Sequence, residues 1–178
     1  MQLVAPSLER LESYAAALRQ GWSPNNVRDV SGEHLAAIAE NAAAFIQGLV
    51  TPAGTLTLGD GTVVPRLPGP LLWMWDGAFC GGIGLRYQPG TEALPPHALG
   101  HIGYAVVPWK RRRGHATQAL RQVLPLAREA GLRWVDLTTD ADNAPSQRVI
   151  LANGGVLMDR VPDATAPDKL VWRIFLPG

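Results

Sequence analysis

A single cysteine, Cys80, in 178 residues leaves no partner for an internal disulfide and excludes a metal cluster built on several cysteines. It reads as a reduced, structural thiol in a strand. Charge is also scarce. Charged residues make up 17% of the chain, and sixteen Lys and Arg stand against fifteen Asp and Glu, a formal net charge of +1. No overall field therefore draws the protein toward nucleic acid or an anionic membrane. No apolar run approaches the roughly 20 residues that a membrane-spanning helix needs. The opening MQLVAPSLER lacks the charged and then apolar pattern of an export signal, so a cytoplasmic enzyme is the expectation. Apart from His97 and His101 the histidines are scattered, and no metal is expected. What is abundant is apolar residues, 47%, enough for one domain with a substantial core over residues 1–178.

Residues 2–5 suit a short edge strand, and Ser7 stands where a cap would start a helix carrying Leu8, Leu11, Ala15 and Leu18, with Gly21 as its stop. A second helix from about Gly32 places Leu35, Ile38, Ala42, Phe45, Ile46 and Leu49 at helical spacing. TLTLGDGTVV alternates around Asp60-Gly61 and predicts a hairpin. Strands follow over 71–75 and 78–86. In the second of these, Gly81, Gly82 and Gly84 thin one side, for a bulge, a close-packed neighbour or an approaching ligand. After a proline-rich loop, HIGYAVVP is a strand buried on both faces. The next helix ends at Gly131 and contains Pro125, where a kink or a broken backbone bond is expected. Residues 133–139 form another buried strand. A short helix capped near Asn143 follows, and strands at 155–159 and 169–176 close the chain. Strand and helix alternate through the second half, which gives the α/β class with a mixed sheet.

The chemistry concentrates in VVPWKRRRGHAT, residues 106–117. A strand ends, a basic run and a glycine make the turn, and a helix starts at once. The first amides of a helix have no internal partners and lie at the positive end of its dipole, so such a turn holds an anion. Taken alone, the arginine run reads equally as a solvated face or a nucleic-acid patch. Near-zero net charge, and the lack of basic residues alternating with aromatics, weigh against nucleic acid.

Arg111-x-x-Gly114-x-Ala116 resembles the R/Q-x-x-G-x-G/A signature of the GNAT acyltransferases. Together with LTTDADNAPSQRVILANGG some thirty residues on, it resembles that superfamily's two consecutive coenzyme A motifs. The likeness covers 71–176 well and 1–50 in outline, with the first helices as a wall of the acceptor site. It is to a bacterial branch of acetyltransferases with a GHIGY-type strand. It implies an α/β GNAT fold whose central mixed sheet has a splayed strand pair, 101–107 and 133–139, flanked by helices. It also implies acetyl-CoA as co-substrate and an amine acceptor, while the charge balance and the lack of a long apolar run leave no partner in nucleic acid or membrane expected. Dimerisation is common in this fold.

Residue by residue, the resemblance implies that Val106 and Val107 pair with pantetheine as an added strand would. Arg111, Arg112, Arg113, Gly114, His115 and Ala116 would cradle the pyrophosphate, with Thr117 available to a phosphate oxygen. Asn143 would bond the pantetheine arm, with Ser146 one turn on, although Asn143 also reads as a plain N-cap. The reaction implied is direct attack of the amine on the thioester. His101, at the start of the strand, is the first choice of base, with Glu92 as the alternative through water. The family's usual acid, a tyrosine, falls at Ile150, so Tyr104 or solvent must replace it. A non-catalytic acyl-CoA-binding domain of the same fold is the alternative reading.

Overall fold

The computed structural model describes residues 1–178 except 26–27, 52–53 and 59–60. Nine strands and four α-helices are present among the described residues: β1 (Gln2–Val4), α1 (Leu11–Arg19), α2 (Ser31–Val50), β2 (Thr55–Thr57), β3 (Val63–Pro65), β4 (Leu71–Trp75), β5 (Phe79–Leu85), β6 (Ile102–Val106), α3 (His115–Glu129), β7 (Trp134–Asp140), α4 (Ala144–Leu151), β8 (Val156–Val161) and β9 (Lys169–Phe175). They order into sheets β1-β4-β5-β6 and β7-β9-β8, with β2-β3 as a separate hairpin. The expected turn at Asp60-Gly61 lies partly outside the described residues, but Thr55–Thr57 pairs antiparallel with Val63–Pro65 as the alternation requires.

The chain divides into two compact units. The first comprises Met1–Gly84 and Tyr104–His115, the second Leu85–Gly103 and Ala116–Gly178. The first unit is built on aromatic packing. Tyr14 of α1 stacks on Trp73 of β4 with ring centroids 4.9 Å apart and meets Phe79 and Trp22 edge-on. Such pairs add about 0.5–1.5 kcal/mol beyond their buried area. Leu35, Ile38, Phe45 and Leu49 of α2 pack on this cluster, which accounts for their helical spacing.

α2 departs from the single helix that spacing predicts. Asn41 has non-helical backbone (φ −157°, ψ 94°), and its side-chain oxygen accepts the Ala44 amide at 2.9 Å. Asn41 is thus the cap of a new helical segment. Ser7 makes no cap bond, and a 3₁₀ turn, Leu8–Arg10, leads into α1. α3 continues through Pro125 over its fifteen residues, so the proline's missing donor is tolerated without a break.

Gly81 settles the question of the thinned strand. At φ 147°, a Cβ placed there would sit 2.1 Å from the Ala105 carbonyl oxygen, so the space belongs to the backbone of β6. At Gly82 and Gly84 a Cβ would meet only ordinary contacts. In the second unit β7 and β9 pair along seven residues, and Trp172 of β9 donates its indole N–H to Thr139 at 3.0 Å inside the core.

Candidate active site

The loop before α3 is shaped by two left-handed residues. Gly114 has φ 76°, free of cost for glycine, and Arg112 has φ 59°, which a side chain opposes by roughly 1–2 kcal/mol. Strain at a non-glycine residue is a mark of a functional turn. The arginine side chains brace this turn. Arg111 Nε donates to the Val106 carbonyl at 3.1 Å and Arg113 to the Trp109 carbonyl at 3.3 Å, while Lys110 Nζ lies 2.5 Å from Asp76. Arg111 and Arg113 are thus tied to carbonyls of their own segment, while all three arginines stay exposed. The backbone leads directly into the first turn of α3, where the amides of His115, Ala116 and Thr117 begin a fifteen-residue helix.

Two of the expected binding residues behave differently from the expectation. Val107 is fully buried, and its N–H donates to the Cys80 carbonyl at 3.0 Å, so its amide is already taken by β5. His115 turns its ring inward and is buried beside Asp76. Burial chiefly lowers its pKa, the Asp76 carboxylate opposing this. Asp76 itself is held at about 2, first by the hydrogen bond from Lys110. Cys80 is a buried free thiol, pushed up by burial, as a structural cysteine should be.

In the second unit, His101 is wholly enclosed. Its amide donates to the Asp136 carbonyl at 2.7 Å, and the Asp136 amide donates to its ring Nδ1 at 2.9 Å. An amide can only donate, so Nδ1 is the unprotonated nitrogen and Nε2 carries the hydrogen. Nε2 is buried without a hydrogen-bond partner; the Glu92 peptide carbonyl favours its charged form without meeting bonding geometry. Against the expectation of His101 as general base, the Nδ1 lone pair that a base needs is engaged by the Asp136 amide of β7. Burial pushes its pKa down, with Asp136 partly opposing.

Glu92 fares no better. Its carboxylate pairs with Arg133 at 2.6 Å and is held at about 2, chiefly by that hydrogen bond, too acidic to take a proton from an amine. Both residues border a cleft of about 530 Å³ that also meets Leu94, Trp134, Asp136 and Arg173. Arg173 grips Asp136 with two hydrogen bonds, at 2.7 and 2.9 Å, and lies over the Trp134 ring.

Asn143 is the N-cap of α4, its side-chain oxygen accepting the Ser146 amide at 3.2 Å. The plain-cap reading thus holds, and the Asn143 side-chain NH₂ is the part left for a ligand. Ile150 is fully buried, and Gly155 must be glycine because a Cβ there would lie 2.2 Å from the Ile150 side chain.

The family model for the acetyltransferase (GNAT) family matches residues 30–154. The chain belongs to the GNAT acetyltransferase family. It is an acyl-transferring enzyme by that membership. No curated protein matches the sequence. Solved GNAT structures share its fold at low identity. The microcin C7 self-immunity acetyltransferase MccE, in complex with acetyl-CoA and AMP, is 14% identical with a TM-score of 0.63, covering 98% of this chain and 91% of that one. The Salmonella typhimurium protein yncA with its cofactor acetyl-CoA is 16% identical, TM-score 0.54, covering 93% and 86%. The ribosomal-protein-alanine N-acetyltransferase from Brucella melitensis is 14% identical, TM-score 0.60, covering 99% and 100%. The GNAT fold expected from the two motifs is thereby borne out. Among the described residues no helix is long and apolar enough to cross a membrane.

Proposed function

We propose that this GNAT enzyme transfers the acetyl group of acetyl-CoA to a primary amine of a small molecule or peptide by direct attack, without an acyl-enzyme. The observation that carries the reading is the loop of Arg111–Gly114, with left-handed backbone at Arg112 and Gly114, opening straight into α3. Such a turn directs unpartnered amides at a diphosphate, and the dipole of a fifteen-residue helix favours the anion. The bound acetyl-CoA of MccE and yncA supports the choice of donor.

In the reaction the neutral amine nitrogen bonds to the thioester carbonyl carbon, the negative charge that develops on oxygen takes a hydrogen bond from a strand amide, the nitrogen gives up its proton to water, and the C–S bond breaks to leave the coenzyme A thiolate. With Val107 N–H committed to β5, that donor is Val106 or a residue before it on β6. Tyr104, also on β6, is the hydroxyl that protonates the thiolate. Asn143 uses its side-chain NH₂ on the pantetheine arm while its oxygen keeps capping α4. The attack needs a nitrogen lone pair, and the Brucella melitensis neighbour named a ribosomal-protein-alanine N-acetyltransferase supports an amine acceptor.

We also assign self-association to β8. All six of its residues are exposed, including Val156, Leu157, Met158 and Val161, on the outer strand of its sheet. Sedimentation of the wild type against Leu157→Lys tests this; a dimer that becomes a monomer is expected, and a wild-type monomer refutes it.

The catalytic reading is tested by following free coenzyme A from acetyl-CoA against a panel of amines, amino acids, aminoglycosides and peptides. Amine-dependent release with a matching mass increase on the acceptor is expected. Acetyl-CoA binding without release across the panel would instead favour a domain that only binds the thioester.

A further inference from the structure

We propose that Asp76, Cys80 and His115 form a binding site for a borderline divalent metal ion, with Zn²⁺ as its natural occupant. The three residues come from different parts of the first unit: the turn after β4, the second residue of β5 and the first residue of α3. One carboxylate oxygen, the thiol sulfur and an imidazole nitrogen all lie within 4.8 Å of one another. Oxygen, sulfur and nitrogen donors together are the set that Zn²⁺ accepts, at about 2.0–2.3 Å from the metal, leaving a fourth position for water.

The imidazole supplies independent support. His115 is 8% exposed, and both of its ring nitrogens are buried without a hydrogen-bond partner. Nε2 approaches Asp76 only to 3.5 Å, outside bonding geometry. A buried, unsatisfied ring is costly, and coordination would satisfy one of its nitrogens.

A cation, the Lys110 ammonium, already lies against this cluster. Lys110 Nζ lies 2.5 Å from Asp76 Oδ1 and 3.6 Å from Cys80 Sγ. Its long side chain can swing out when the metal arrives. As the Zn–S bond forms, the Cys80 thiol proton goes to solvent. The Asp76 side chain is 27% exposed and borders a cleft of about 400 Å³ with Met1, Gln2, Trp75 and Gly77, so this carboxylate is open to an ion from solvent. Lys110, Arg113 and the amino group of Met1 add positive charge around His115. Mg²⁺ prefers oxygen ligands, so a thiol and an imidazole beside one carboxylate select a softer metal. Sequence spacing concealed the set, since 35 residues separate Cys80 from His115.

The test is Co²⁺ titration of the full, reduced chain, followed by displacement with Zn²⁺. Cys80 is the sole cysteine, so any near-ultraviolet thiolate-to-cobalt band reports it alone. One equivalent of Co²⁺ should produce the band, Zn²⁺ should abolish it and Mg²⁺ should not. Cys80→Ser should remove the band and weaken Zn²⁺ binding by at least about tenfold, a loss of about 1.4 kcal/mol. Lys110→Met, which removes the competing ammonium, should tighten Zn²⁺ binding. The wild-type spectrum needs no variant to fold. Absence of the band in the wild type overturns the site, as does Zn²⁺ affinity unchanged in a folded Cys80→Ser protein.

Discussion

The Asp136 amide donates to Nδ1 of His101 at 2.9 Å, and the His101 amide donates to the Asp136 carbonyl at 2.7 Å. This reciprocal pair fastens the segment before β6 to β7 and fixes the histidine as a structural acceptor. A buried amide that loses its partner costs about 1–3 kcal/mol. His101→Ala should destabilise the protein by that amount in urea unfolding and leave kcat/KM of the folded fraction within about tenfold of wild type, well short of the roughly 100-fold loss expected on removing a general base. A far larger kinetic loss at unchanged stability would restore the base.

The same pair sets a pH response. Burial lowers the pKa of His101 and of His34 in the folded protein, so the unfolded chain binds these protons more readily. Their contribution to stability is complete above the ordinary imidazole value of about 6.5 and is lost as pH falls below it. Urea midpoints measured between pH 8 and pH 5 should therefore decline toward acid, with a shallower decline in His101→Gln.

Gly81 permits no side chain. A Cβ would lie 2.1 Å from the Ala105 oxygen on a backbone with φ 147°. Gly81→Ala should lower stability by about 3 kcal/mol, the upper range of overpacking, or prevent folding. Gly82→Ala, where the nearest atom is 3.8 Å away, is the control and should be near neutral.

The turn before α3 gives a kinetic split. Gly114→Val forces a branched side chain into a left-handed position and should raise KM for acetyl-CoA by about tenfold or more, given the roughly 1–2 kcal/mol strain. Arg112→Gly relieves the neighbouring strain and should keep the donor KM close to wild type. Initial rates at varied acetyl-CoA separate the two.

Tyr104→Phe removes the hydroxyl assigned to thiolate protonation. Coenzyme A is a fairly good leaving group, so kcat should fall by about tenfold to a hundredfold, the low end for acid catalysis, with KM for acetyl-CoA unchanged. An unaltered kcat assigns the proton to solvent.

Much of this was legible in residue order. Alternation and turn residues located the strands, and Gly21, Gly131 and Gly154 each end a helix with positive φ. The anion turn was readable because one continuous segment, 106–117, forms it. Features made by distant segments were not. Apolar spacing runs straight through α2, so nothing in it announces the break at Asn41. His101 looked like a base because its partner, Asp136, is 35 residues away. The thinning glycines look alike in sequence but differ in backbone angle and in what faces them, and Gly81 alone has positive φ and lies against β6.

The most direct test is acetyl-CoA turnover by the wild-type protein with an amine panel, reading free thiol and product mass together. The expected result is amine-dependent coenzyme A release with one acetyl group gained per acceptor nitrogen. Release at the same slow rate with and without every amine, despite bound acetyl-CoA, would contradict transfer to an amine.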